Sequence, residues 1–181
     1  LSISNNTFSG NSASGSGGGI RNDSGAATIS NSTFSGNSAS GSGRSGGGIS
    51  TTAALNLLST IIARNTVSGG AVDPDIDDSS FAVTSVGYNL IGDGTGESGV
   101  VNGTNHDQVG TSGSPINPLL GSLANNGGLT QTMAITSTSS PAYQAGNCAG
   151  NNTVTPNAPA VSADQRGYVP RKTPCDVGAY E

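Results

Sequence analysis

Six residues, Asp73-Pro-Asp-Ile-Asp-Asp78, hold the densest set of groups in the chain that could bind a metal or move a proton. In an extended strand, alternation would put Asp73, Asp75 and Asp77 on one side and Ile76 on the other, so three carboxylates could converge on a hard cation such as Ca²⁺. The run is not an EF-hand loop: Pro74 stands second, no glycine stands sixth, and Thr84 occupies the place of the bidentate glutamate. Its other reading is a solvated acidic corner without a ligand. Polysaccharide cleavage would need paired carboxylates, or a base aided by Arg and Ca²⁺. The same run is the one local source of such a pair, with Arg64 the nearest base before it. His106 is the single histidine, with neither a second histidine nor a nearby cysteine to complete a zinc site, so it reads as a surface turn. Asp164-Gln-Arg166-Gly suits an ion pair or hydrogen-bonded clasp that holds the C-terminal part of the fold.

The elements that must position these groups are repeats. Phe-Ser-Gly-Asn stands at 8–11 and 34–37, with Ile62-Ala-Arg-Asn65 in the same slot; Gly-Gly-Gly-Ile stands at 17–20 and 46–49, followed by Gly69-Gly-Ala-Val72. Leu1, Ala27 and Leu55 align, as do Ile3, Ile29 and Leu57, then Phe8, Phe34 and Ile62, then Asn11, Asn37 and Asn65, at steps of 26 and 28 residues. The linker between the Asn and the paired glycines varies instead, from five residues to eight to three. One side of each copy must fit its neighbours, and the other only bridges. Apolar and polar residues alternate in Leu1-Ser-Ile3, Ala27-Thr-Ile29 and Leu55-Asn-Leu57, the period of strands with one buried face.

Coils of this length, with period-2 strands and Gly-rich corners, predict an all-β chain folded as a right-handed parallel β-helix. Successive coils would lie about 4.8 Å apart, with Phe8, Phe34 and Ile62 piled inside and Asn11, Asn37 and Asn65 forming a side-chain ladder at a corner. Phe81, Val83 and Tyr88 suggest a fourth coil 26 residues on, with Leu90 as the alternative to Tyr88 inside. Val100, Val101 and Val109 could return a strand, and Leu119 to Ile135 could give a fifth rung. Residues 1–136 are therefore assigned to coils, regular to about 72 and looser after. Residues 137–181 carry five of the eight prolines and both cysteines. Such a stretch interrupts ladders and suits a cap folded back over the side or open end of the column.

The paired GGGI and FSGN segments resemble the GGA(I/V/L) and FxxN repeats of polymorphic outer-membrane proteins, which are bacterial surface β-helices. Gly87-Tyr-Asn-Leu-Ile-Gly-Asp93, Asn117-Pro-Leu-Leu-Gly121, Leu123-Ala-Asn-Asn-Gly-Gly-Leu-Thr-Gln-Thr132, Ser140-Pro-Ala, Asp164-Gln-Arg-Gly167 and Cys175-Asp-Val-Gly-Ala-Tyr-Glu181 follow in an order similar to bacterial choice-of-anchor proteins. The resemblance covers nearly the whole chain. It implies an extracellular β-helix and brings no catalytic residues with it.

Composition agrees with a narrow column. Only 9% of the 181 residues are charged and 4% aromatic, with no Trp, too little core material for an ordinary globule. The net charge is −5, and residues 66–163 hold Asp73, Asp75, Asp77, Asp78, Asp93, Glu97 and Asp107 against no base. Nucleic acid has no basic patch to bind, and no run of about 18 apolar residues could span a membrane. In surroundings that read as secreted, Cys148 and Cys175 are expected to form a disulfide that clamps the irregular C-terminal segment. The chain opens at Leu1 already in mid-pattern, which suggests an excerpt of a longer exported protein. The functional expectation is a structural or adhesive role at the bacterial surface, with self-association end to end into fibres or binding to surface polysaccharide and other cell-surface components. The competing expectation is a polysaccharide lyase or glycoside hydrolase. No cofactor is expected beyond calcium at the acidic run.

Overall fold

The computed structural model describes residues 1–41, 43, 45–69, 73–78, 83–151, 156–169 and 173–181. Among these the chain is all-β, with no helix, and hence none long and apolar enough to cross a membrane. The first repeat copy supplies strands β1 (Ser2–Ser4), β2 (Thr7–Ser9), β3 (Ser12–Ala13) and β4 (Ile20–Asn22). The second supplies β5 (Ala27–Ser30), β6 (Thr33–Ser35), β7 (Ser38–Ala39) and β8 (Ile49–Thr51). The third supplies β9 (Leu55–Leu58), β10 (Ile61–Ala63), β11 (Thr66–Val67) and β12 (Ile76–Asp77), followed by β13 (Val83–Gly87), β14 (Leu90–Ile91) and β15 (Gln108–Val109). Each strand pairs in parallel with its counterpart in the next copy, giving the sheets β1-β5-β9-β13, β2-β6-β10-β14-β15, β3-β7-β11 and β4-β8-β12.

Equivalent residues therefore lie side by side. Phe8 pairs with Phe34, Phe34 with Ile62, Ile62 with Ile91 and Ile91 with Val109, and the Phe8 and Phe34 rings stack at 4.5 Å. Ile20, Ile49 and Ile76 make a second row, and Ala27, Leu55 and Val83 a third. These rows meet in one apolar core. Each fully buried Ile, Leu or Phe there contributes roughly 1.5–3 kcal/mol of transfer free energy.

Three corner positions take left-handed backbone in copy after copy, and this explains the motifs. Gly10, Gly36 and Arg64, just before the ladder asparagines, have φ of 70°, 73° and 65°. Asn5, Asn31, Ser59 and Tyr88 share the same conformation at the turn into the sheet that begins with β2. The third series is Gly17, Gly46 and Asp73, with φ of 77°, 65° and 61°. Because Ile20, Ile49 and Ile76 pair, the third Gly-Gly-Gly-Ile slot is Asp73-Pro-Asp-Ile76. The sequence had placed it at Gly69-Gly-Ala-Val72, of which 70–72 lie outside the described residues, as does Phe81. Glycine is demanded here by close approach: a Cβ on Gly47 would lie 2.3 Å from the Thr66 carbonyl oxygen.

The fourth copy is offset by 28 residues rather than 26, with Val83 opposite Leu55. A register shift between Ser85 and Gly87 then carries Ile91, not Tyr88 or Leu90, into the core row. Leu90 points to the opposite face, into a second apolar cluster with Ile61, Ala63, Leu120, Met133, Ala142 and Val177. Residues 119–135 thus do not form a fifth rung. They make isolated antiparallel bridges, Leu120 to Ile135 and Ala124 to Thr132, and Leu120 and Met133 pack with Ile61 and Leu90 in that second cluster; the fifth strand of the β2-β6-β10-β14-β15 sheet is β15. The C-terminal segment also lies along the side. The Asn147 N–H donates to Ser59 Oγ (2.6 Å), and the Gly178 N–H to the Ser59 carbonyl (2.9 Å).

Candidate functional site

The asparagine corner is a continuous polar ladder. Asn11 donates its backbone N–H (3.1 Å) and its Nδ2 (2.9 Å) to Asn37 Oδ1, and Asn37 donates the same pair to Asn65 Oδ1 at 3.0 and 2.9 Å. The second Nδ2 hydrogens of Asn37 and Asn65 go to the Phe8 and Phe34 carbonyls. Asn65 in turn donates both groups to Asp75 Oδ1, at 3.2 and 2.8 Å, while Asp75 Oδ2 accepts the Asp93 N–H at 2.7 Å. Asp75 is 1% exposed, and its carboxylate stands where the amide oxygen of a further asparagine would. It can do so because Gly48, its neighbour one copy earlier, has no side chain: a Cβ there would lie 2.9 Å from Asn65 Nδ2. Burial pushes the Asp75 carboxyl up to about 6 against the lowering effect of these hydrogen bonds.

A second corner ends the same way. Thr60 N–H donates to Asn89 Oδ1 (3.1 Å), and Asn89 donates its N–H and Nδ2 to Asp107 Oδ1 at 2.8 and 3.0 Å. Ser85 Oγ donates to Asp107 Oδ2. Burial raises the Asp107 carboxyl, opposed by the Ser85 and Asn89 hydrogen bonds. The links to side-chain oxygens run in one direction in both ladders, and each stops at a carboxylate, which accepts and donates nothing when ionised.

The acidic run does not converge as simple alternation suggests. Asp75 is turned into the ladder, Asp77 Oδ2 accepts from Ser50 Oγ at 3.2 Å, and Asp78 Oδ2 accepts from the Ser98 N–H and Oγ at 3.1 and 2.9 Å. Among the described residues, the single trio of His, Cys, Asp or Glu ligand atoms within 4.8 Å of one another is Cys148, Cys175 and Glu181. Its sulfurs are joined in the Cys148–Cys175 disulfide. Asp73 is held apart, beside a cavity that Asp93, Thr95 and Ser112 also line. Its Oδ1 is buried with no hydrogen-bond partner. Burial, then the nearby Asp77, Asp78 and Asp93, raises its carboxyl. Glu97, which sequence reasoning passed over, accepts the Gly99 and Val100 N–H groups, and burial pushes it up to about 7.

Two further features are a ring stack that only the fold reveals and the clasp expected from Asp164 and Arg166. Tyr88 and His106, both in left-handed backbone, stack with ring centroids 4.5 Å apart and line a groove with Gln144 and Pro174. Asp164 and Arg166 form a clasp: Arg166 Nε donates to Asp164 Oδ2 at 2.7 Å, and the guanidinium lies between the Tyr168 and Tyr180 rings, 4.3 and 3.9 Å from their centroids. Arg166 also donates to the Asn126 and Glu181 carbonyls, tying three stretches together. Compared with family models, with curated proteins and with solved structures, the chain has no match.

Proposed function

We propose that the chain is part of a right-handed parallel β-helix of the choice-of-anchor type, with repeats like those of polymorphic outer-membrane proteins, and that it serves a structural or adhesive role outside the bacterial cell. The observation that carries this reading is the row Phe8, Phe34, Ile62, Ile91, Val109, paired residue by residue across five strands. A column built this way gains length and stiffness from few apolar side chains. The loops between β3 and β4 and between β7 and β8, unequal in length, are free to carry contacts to surface polysaccharide or other cell-surface components. The Cys148–Cys175 disulfide supports an oxidising compartment. Self-association end to end into fibres belongs to this reading, because the terminal coils of a solenoid carry strand edges that a second copy can pair with.

The reading as a polysaccharide lyase or glycoside hydrolase has less support, because Asp75 is engaged by Asn65 and Asp93, and Asp77 by Ser50. Incubation with a panel of acidic and neutral polysaccharides separates the two. Retention without product release is expected, whereas oligosaccharide release that Asp77→Asn abolishes would replace the structural reading with the enzymatic one. Light scattering over a concentration series tests the assembly: particles of constant mass would remove the fibre.

A further inference from the structure

We propose that Asp73 and Asp93 hold a divalent, oxygen-preferring cation, Ca²⁺ by its chemistry, at the corner where the acidic run replaces the glycines of earlier copies. Asp73 occupies the slot of Gly17 and Gly46 and keeps their left-handed backbone, at φ 61°. A side chain there has a conformational cost that glycine avoids. The residue is 9% exposed, and its Oδ1 is buried with no hydrogen-bond partner. An ionised carboxylate in that condition is expensive unless a cation offsets it. Among the described residues no side chain does so: the ion pairs are Arg21 with Asp23 and Arg166 with Asp164, and Arg64 is turned to the Leu120 carbonyl at 2.9 Å.

The surroundings supply hard oxygen. Asp93 lines the same cavity; its Oδ1 accepts the Thr95 N–H at 3.0 Å, and no hydrogen bond from the described residues reaches its Oδ2. Asn65, Thr66, Thr95 and Ser112 complete the polar lining. Gly96 makes room, since a Cβ on it would lie 1.6 Å from Asp73 Oδ1. Two carboxylates, completed by neighbouring hydroxyls, carbonyls or water, fit the six to eight irregular oxygen ligands of Ca²⁺ better than the strict octahedron of Mg²⁺. This ligand set differs from the Asp73, Asp75, Asp77 trio suggested by strand alternation, because Asp75 serves the asparagine ladder.

The test uses Asp73→Gly, which restores the residue of the other copies and removes the conformational cost, so the variant is expected to fold. Metal-stripped protein is titrated with Ca²⁺ at neutral pH by calorimetry, with thermal unfolding in parallel. The wild type should bind one Ca²⁺ with Kd on the order of 10⁻⁴ to 10⁻³ M, the range of extracellular calcium modules, and gain thermal stability. Asp73→Gly and Asp93→Asn should each weaken binding by at least about tenfold, and Asp73→Gly should exceed the wild type in stability under EDTA. Mg²⁺ should bind more weakly. A wild type that does not respond to Ca²⁺, as it would be if Asp73 simply held a proton, overturns the proposal. So does an Asp73→Gly variant that responds equally well.

Discussion

Asp75→Asn isolates what the ladder's terminal carboxylate does. In the folded chain Asp75 titrates at about 6 against an ordinary value of 3.8, with burial the leading cause. The folded state therefore holds a proton that the unfolded state has released between those two pH values. Stability from this group is greatest below about 4, falls as pH rises through 6 and is level above it. The gap of about two pH units corresponds to roughly 3 kcal/mol at ~1.4 kcal/mol per unit. Asparagine can keep Oδ1 facing Asn65 but sets an amide N–H₂ against the Asp93 N–H, a conflict of about 1–3 kcal/mol. Near pH 7 that conflict and the relief from burying a charge nearly cancel, so the variant should resemble the wild type. At pH 4, where the wild-type group is already neutral, the variant should be the weaker. The assay is urea unfolding by circular dichroism at steps from pH 4 to 7.5 with the disulfide intact. The loss of stability from pH 4 to 7 should be smaller in Asp75→Asn by about 3 kcal/mol, with the Glu97 contribution common to both. The same loss in both proteins would refute the placement of a buried, titrating carboxylate at the end of the ladder.

Phe34→Ala, at a fully buried ring stacked on Phe8, should cost about 3–5 kcal/mol in urea unfolding. Asn37→Ala leaves the Asn11 N–H and Nδ2 without their acceptor and Asn65 Oδ1 with the backbone donor alone, and should cost about 2–4 kcal/mol, against under ~1 kcal/mol for Asn11→Ala at the exposed end of the ladder. Reducing Cys148–Cys175, 27 residues apart in sequence, should lower stability by roughly 3.5 kcal/mol on the chain-entropy account, read as a shift in the unfolding midpoint. Arg166→Lys cannot fill the gap between Tyr168 and Tyr180 with a planar group; it should raise the rate of proteolysis at the C-terminus several-fold while leaving the core strands intact.

The rows of Phe, Ile and Asn could be read from the sequence because each residue type recurs at the step that brings it over its counterpart. The third glycine slot could not. Gly17, Gly46 and Asp73 share a backbone conformation, not a chemistry, and an aspartate there reads as a ligand before it reads as a corner. Tyr88 misled for a similar reason: one irregularity between Ser85 and Gly87 rotates everything after it. The outer apolar cluster was hidden because Leu120, Met133 and Val177 come from a segment without period, and only the fold shows Ile61 and Leu90 turned toward them. The acid–base groups Glu97 and Asp107 owe their behaviour to burial, which no spacing announces.

Because the side-chain-to-side-chain bonds of the corner all run the same way, from each asparagine to the group of the next copy, the molecule has a sense of direction that its parallel strands alone would not impose. A unit duplicated ahead of Asn11 would find an oxygen waiting for it, whereas one spliced in just past Asp75 would meet a group with nothing to offer. Lengthening by tandem duplication is then a one-sided process, in which growth is accommodated upstream and the acidic end travels unchanged as the terminus of whatever precedes it.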